Sequence, residues 1–129
     1  SYSIYNIQTG EELILSKRVS ASRESENPFH FNSNAVKAGE QWLYTIIDEK
    51  PDLAVIDEIG IYELHKKVWY NAFSQLYNST ISLFFSTNEM WSEQVLKKWN
   101  IKPTHTFYPS DFHYPEEASN IIQNALGII

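Results

Sequence analysis

The sequence predicts an α/β fold: a mainly parallel sheet flanked by helices, with an antiparallel hairpin at its N-terminal end. Three observations carry this. Leu53-Ala54-Val55-Ile56, four apolar residues without alternation, reads as a strand buried on both faces, although so short a run also fits part of a buried helix, and Thr80-Ile81-Ser82-Leu83-Phe84-Phe85 has the β-branched and aromatic composition of a second buried strand. Between and around them lie stretches of helical length with apolar residues every three or four positions. Ahead of both, two alternating segments flank Gln8-Thr9-Gly10-Glu11, which has turn chemistry. Strands alternating with helices in this way belong to α/β architectures.

In chain order, Tyr2, Ile4 and Ile7 and then Leu13-Ile14-Leu15 form the two arms of the hairpin. Residues 16–27 are polar, rich in Ser, Glu and Arg, and lack periodicity, so they read as a mobile surface loop closed by Pro28. Phe29-His30-Phe31 is a short extended piece, and Ser33 or Asn34 caps the helix that follows. That helix runs over 35–48, with Ala35, Gly39, Trp42, Leu43, Ile46 and Ile47 on one face. After the first apolar run, Ile61 leads into a second amphipathic stretch whose stripe is Val68, Trp69, Ala72, Phe73, Leu76 and Tyr77. The β-branched and aromatic segment 80–85 is the next strand. Ser86-Thr87-Asn88 offers caps for a helix over 89–99, and Pro103 breaks it. Thr104 to Tyr108 reads as a third strand. A last helix starts at Pro115, where proline suits a first helical position, and ends at a C-capping Gly127. No repeat or linker divides residues 1–129, which are read as a single domain of a size that supports one core.

Composition narrows the function classes. A formal net charge of −6 argues against a nucleic-acid backbone or an anionic membrane as the main partner, although it leaves room for a small anion held locally. With no cysteine there is no disulfide framework and no thiolate metal site, which fits a reducing, cytoplasmic setting. No apolar run approaches membrane-spanning length. The four histidines, His30, His65, His105 and His113, lack ligand spacing, and scattered surface or capping roles explain them better than a metal site does. Ser82, Ser86 and Ser110 lack the context of a nucleophile elbow. Trp42, Trp69 and Trp99 lie on apolar helix faces and read as core.

The chemistry-bearing candidates are Asp57 and Glu58, adjacent carboxylates where the first apolar strand leaves the sheet. In open α/β folds that carboxyl edge is where ligands bind. Solvated acids ending a strand are the plain alternative. The surrounding block, Pro51-Asp52-Leu53-Ala54-Val55-Ile56-Asp57-Glu58-Ile59-Gly60 followed by Glu63-Leu64, resembles the Walker B segment of the P-loop nucleoside-triphosphatases of the thermophile-type family. The hairpin with Asn6-Ile7-Gln8-Thr9-Gly10, the polar loop, Phe29 and Phe31 entering a helix, and Trp69 and Leu76 also look like the middle of that family. The resemblance implies hydrolysis of a nucleoside triphosphate, ATP or GTP, with Asp57 holding Mg²⁺ and Glu58 orienting or activating the attacking water. Glu63 matches a downstream carboxylate of the family, and a structural role suits it better.

The resemblance also exposes a gap. No Gly-x-x-x-x-Gly-Lys-[Ser/Thr] occurs, and Gly10, Gly39, Gly60 and Gly127 are too scattered to cradle a phosphate. In the family that loop precedes the hairpin. The chain is therefore expected to be the C-terminal portion of such a domain, with the first strand and phosphate loop missing, or a natural relative that has lost hydrolysis; the start at Ser1 rather than Met favours the former. Either way these residues alone are expected to be inactive. The family often has a basic residue where this chain has Ile61, leaving Arg18 and Arg23, and less specifically Lys66 and Lys67, as cations for a phosphate. Without its first strand the sheet would show an open edge at Val55 and Ile56, so the chain is expected to pair there with a second copy or another chain, or to rearrange its strand order to cover the edge.

Overall fold

In a computed structural model, residues 2–18, 29–111 and 113–127 are described. Their strands are β1 (Tyr2–Tyr5), β2 (Glu12–Arg18), β3 (Phe29–Phe31), β4 (Leu53–Ile56) and β5 (Ser82–Phe85). The helices are α1 (Ser33–Glu49), α2 (Ile61–Leu64), α3 (Tyr70–Tyr77), α4 (Glu89–Lys98) and α5 (Pro115–Leu126). The fold is thus mixed α/β, but its parallel part is smaller than the pattern implied: β1-β2-β3 form an antiparallel sheet and β4-β5 a separate parallel pair. Backbone contacts group the chain into two compact units, Ser1–Pro51 with Ile61–Ile81, and Asp52–Gly60 with Ser82–Ile129.

In the first unit the hairpin forms as expected. Asn6 Oδ1 accepts from the amides of Gln8 and Thr9, and the Gly10 amide closes onto the Asn6 carbonyl at 2.8 Å. β2 continues through Arg18 and pairs Ser16 to Phe31, so the segment expected as a loop begins as strand; residues 19–28 lie outside the described residues. The cap of α1 is Asn32 rather than Ser33 or Asn34. Its backbone is extended and its Oδ1 accepts from the Asn34 and Ala35 amides. The expected face of α1 turns inward, with Ala35, Gly39 and Leu43 buried, and the helix packs on β2 and α3.

The single amphipathic stretch expected after Gly60 is two helices. Lys66 (φ 59°) and Val68 (φ 54°) adopt left-handed backbone between them. Docking of Trp69 prevails over helix continuity there: its indole N–H donates to the Val36 carbonyl of α1 at 2.9 Å. The face of α3 is the expected one, with Ala72, Phe73 and Leu76 buried.

In the second unit, β4 and β5 pair in parallel from Leu53↔Ser82 to Ile56↔Phe85. Ala54 is buried, but Val55 is 48% exposed, so β4 is not covered on both faces as the apolar run suggested. Among the described residues β4 pairs with β5 alone. α4 is capped by Asn88 and buries Val95; α5 begins at Pro115 and ends at Gly127 in the left-handed region. The third strand expected over 104–108 does not form. Phe107 instead lies beside β5 through its ring, 6.2 Å from that of Phe84.

Candidate functional site

The end of β4 is built by an irregular continuation of the ladder. The Ser86 amide donates to the Ile56 carbonyl at 3.1 Å. In a regular parallel ladder the Ser86 carbonyl would next accept from residue 58, two positions on. It accepts from Ile59 instead, at 2.9 Å. One extra residue is therefore accommodated over Asp57 and Glu58, and Glu58 carries the distortion with φ 71°. Such insertions re-aim side chains where a strand ends. A left-handed glutamate costs about 1–2 kcal/mol, so something must hold it.

The Ser86 side chain does so. Its Oγ accepts from the Glu58 amide at 2.8 Å and donates to Asp57 Oδ1 at 2.6 Å. A carboxylate only accepts, so the single hydroxyl hydrogen goes to Asp57, and the short distance is that of a charge-assisted bond. Ile59 is fully buried and anchors the chain just beyond the acids, whereas Asp57 and Glu58 are exposed. Next in the chain after Ser86, Thr87 Oγ1 is buried without a partner among the described residues, and Asn88 Oδ1 caps α4.

The two central candidates, Asp57 and Glu58, thus come together at the carboxyl end of the parallel pair. The others do not join them in that unit. Glu63 is buried in α2 of the first unit, 5% exposed. Burial and then its charge raise the pKa of neighbouring Tyr62, whose ring stands edge-on to Phe31 at 4.7 Å. Arg18 ends β2, and Arg23 lies outside the described residues. Lys66 and Lys67 are exposed in the first unit. A cleft of about 310 Å³ between the hairpin turn and α1, lined by Trp42, Ile46 and Glu49 among others, includes none of the candidate acids.

The donors at the strand ends are hard oxygens: the Asp57 carboxylate and the Ser86 hydroxyl that holds it. They suit Mg²⁺, which takes one or two carboxylates and fills its sphere with water and phosphate oxygens. Among the described residues no group of three His, Cys, Asp or Glu could hold a metal by itself, so an all-protein cage is not what this site offers. The sequence offers Ser86 and Thr87 as candidate caps and gives Ser86 no nucleophile-elbow context. No protein-family model, curated protein or solved structure matches this chain.

Proposed function

We propose that this chain is the C-terminal portion of a P-loop nucleoside-triphosphatase of the thermophile type, which hydrolyses ATP or GTP with Mg²⁺ when a phosphate-binding loop is joined to it and is inactive alone. The observation that carries this reading is the acid pair at the carboxyl end of a parallel strand pair, with Asp57 held in one orientation by a side chain from the neighbouring strand. Asp57 would hold Mg²⁺, and the ion would neutralise charge on the phosphates. Glu58 orients the attacking water and takes its proton; a side chain in that role contributes about 10²–10⁴-fold. Arg18 and Arg23 remain candidate cations for a phosphate, and Glu63 supports the fold around α2. A cytoplasmic setting, with no nucleic-acid or membrane partner, completes the reading. Among the described residues no helix is long and apolar enough to cross a membrane.

A second reading is favoured by the edge of β4, which is apolar and has no further partner strand among the described residues. An unguarded edge of this kind suits a non-catalytic assembly module that associates with a second copy. Three measurements separate the readings. The nucleoside-triphosphatase reading expects a Gly-x-x-x-x-Gly-Lys-[Ser/Thr] motif in the codons ahead of Ser1. It also expects Mg²⁺-dependent phosphate release by the full reading frame, falling about 10²–10⁴-fold in Glu58→Gln. A full reading frame without that motif and without phosphate release overturns it. Self-association of the 129 residues that is lost in Val55→Lys supports the module.

A further inference from the structure

We propose that Ser86 is a positioning residue for the acid pair: its one hydroxyl fixes the Asp57 carboxylate and the Glu58 backbone together, and so sets which carboxylate oxygen faces a divalent cation. This rests on the reading of Asp57 as the metal residue. The geometry is specific. Ser86 Oγ is 2.6 Å from Asp57 Oδ1 and 2.8 Å from the Glu58 amide nitrogen, so donor and acceptor functions are both in use. With Oδ1 engaged, Oδ2 has no hydrogen bond among the described residues and is the oxygen left to meet a cation. The same hydroxyl satisfies the amide that the irregular ladder diverts from the Ser86 carbonyl, which accepts from Ile59.

Neither acid is tied down by burial, since both are exposed. Without the hydroxyl, Asp57 would sample its three staggered χ1 wells, and Glu58 would keep its left-handed backbone without an acceptor for its amide. Alanine therefore removes orientation from both acids at once, while threonine retains the hydroxyl. Groups that orient a metal-binding side chain in this way typically contribute about 10–100-fold to metal affinity.

Paramagnetic broadening of backbone amide signals by Mn²⁺, which registers even weak binding, tests this on the 129-residue chain. In the unsubstituted protein Mn²⁺ should broaden the signals of residues 57, 58 and 86–88, and Asp57→Asn should abolish that effect. Ser86→Ala should need at least about tenfold more Mn²⁺ for equal broadening. Ser86→Thr should stay close to the unsubstituted protein. In Ser86→Ala the Glu58 amide should also exchange faster with solvent, while amides of α4, in the same unit as Ser86, keep their protection and show that this unit is folded. Equal Mn²⁺ response in Ser86→Ala and the unsubstituted protein overturns the positioning role alone. Broadening that is absent, or indifferent to Asp57→Asn, overturns it together with the metal role of Asp57.

Discussion

Replacing Gly39 with alanine places the best helix former at the middle of α1, and on an open helix face it would add about 1 kcal/mol of stability. Here the opposite should occur. A Cβ on Gly39 would lie 2.7 Å from Cζ2 and 2.8 Å from both Cε2 and Nε1 of Trp69, whereas carbon atoms in contact prefer about 3.5–4.0 Å. The indole cannot swing aside freely, because its N–H is held by the Val36 carbonyl at 2.9 Å. Overpacking of this kind costs about 1–3 kcal/mol, and losing the hydrogen bond adds about 0.5–1.5 kcal/mol. Set against the helix gain, Gly39→Ala should destabilise the first unit by about 1–3 kcal/mol. Urea unfolding followed by far-UV circular dichroism, with hydrogen exchange of the α1 amides, measures it. In a Trp69→Phe background, where the indole is gone, the same substitution should be neutral or stabilising. A Gly39→Ala protein as stable as the unsubstituted one, with Trp69 in place, refutes the claim that this ring sets the distance between α1 and the start of α3.

Val68 is β-branched yet left-handed, φ 54°, a conformation that costs about 1–2 kcal/mol for a residue with a Cβ. Val68→Gly should therefore leave urea stability unchanged or raise it by up to about 1 kcal/mol despite the lost side chain, whereas Val68→Pro, locked near φ −65°, should lower it by about 3 kcal/mol. Tyr62 provides a pH test. Burial first, and Glu63 second, raise its pKa above 10.0. The folded state then keeps its proton after the unfolded chain has begun to lose it, so this stabilisation is complete below pH 10 and is lost as pH rises through the higher folded value. Unfolding midpoints at pH 9 and pH 11 should differ less in Tyr62→Phe than in the unsubstituted protein; an unaltered alkaline loss would show that Tyr62 is not its source.

Local features were legible in the sequence because local physics decides them. Pro115 and Gly127 mark the ends of α5, and the three- and four-residue spacing of Ala35, Gly39 and Leu43 picks out the buried face of α1. Two of the misreadings share a cause, since each depended on a partner distant in sequence. Val68 and Trp69 continue a helical stripe, but the stripe breaks because Trp69 reaches Val36, 33 residues earlier. The segment 104–108 has strand composition, yet it contributes a ring to Phe84 in place of a backbone ladder. Composition favours an extended backbone without naming the edge to which it will bond.

The acid pair was visible for the same local reason, as polar residues ending an apolar run, while Ser86 was not, because its role exists only through strand register. A signal was nevertheless present. Leu53–Ile56 and Ser82–Phe85 are runs of equal length that pair in parallel without offset, so the first polar residue after each, Asp57 and Ser86, must emerge side by side. Aligning the carboxyl ends of the two runs brings these two residues together from the sequence alone. What alignment cannot supply is the extra residue at Glu58, because it depends on whether the Ser86 carbonyl takes Glu58 or Ile59 as its donor. Burial of Ile59 decides that choice: drawing an apolar side chain fully out of water contributes about 1.5–3 kcal/mol, which is at least comparable to the cost of about 1–2 kcal/mol for placing Glu58 in the left-handed region. The acids are therefore presented to solvent by the residue that follows them, and Ile59→Ala should relax the Glu58 backbone and loosen the pair even though it touches neither carboxylate.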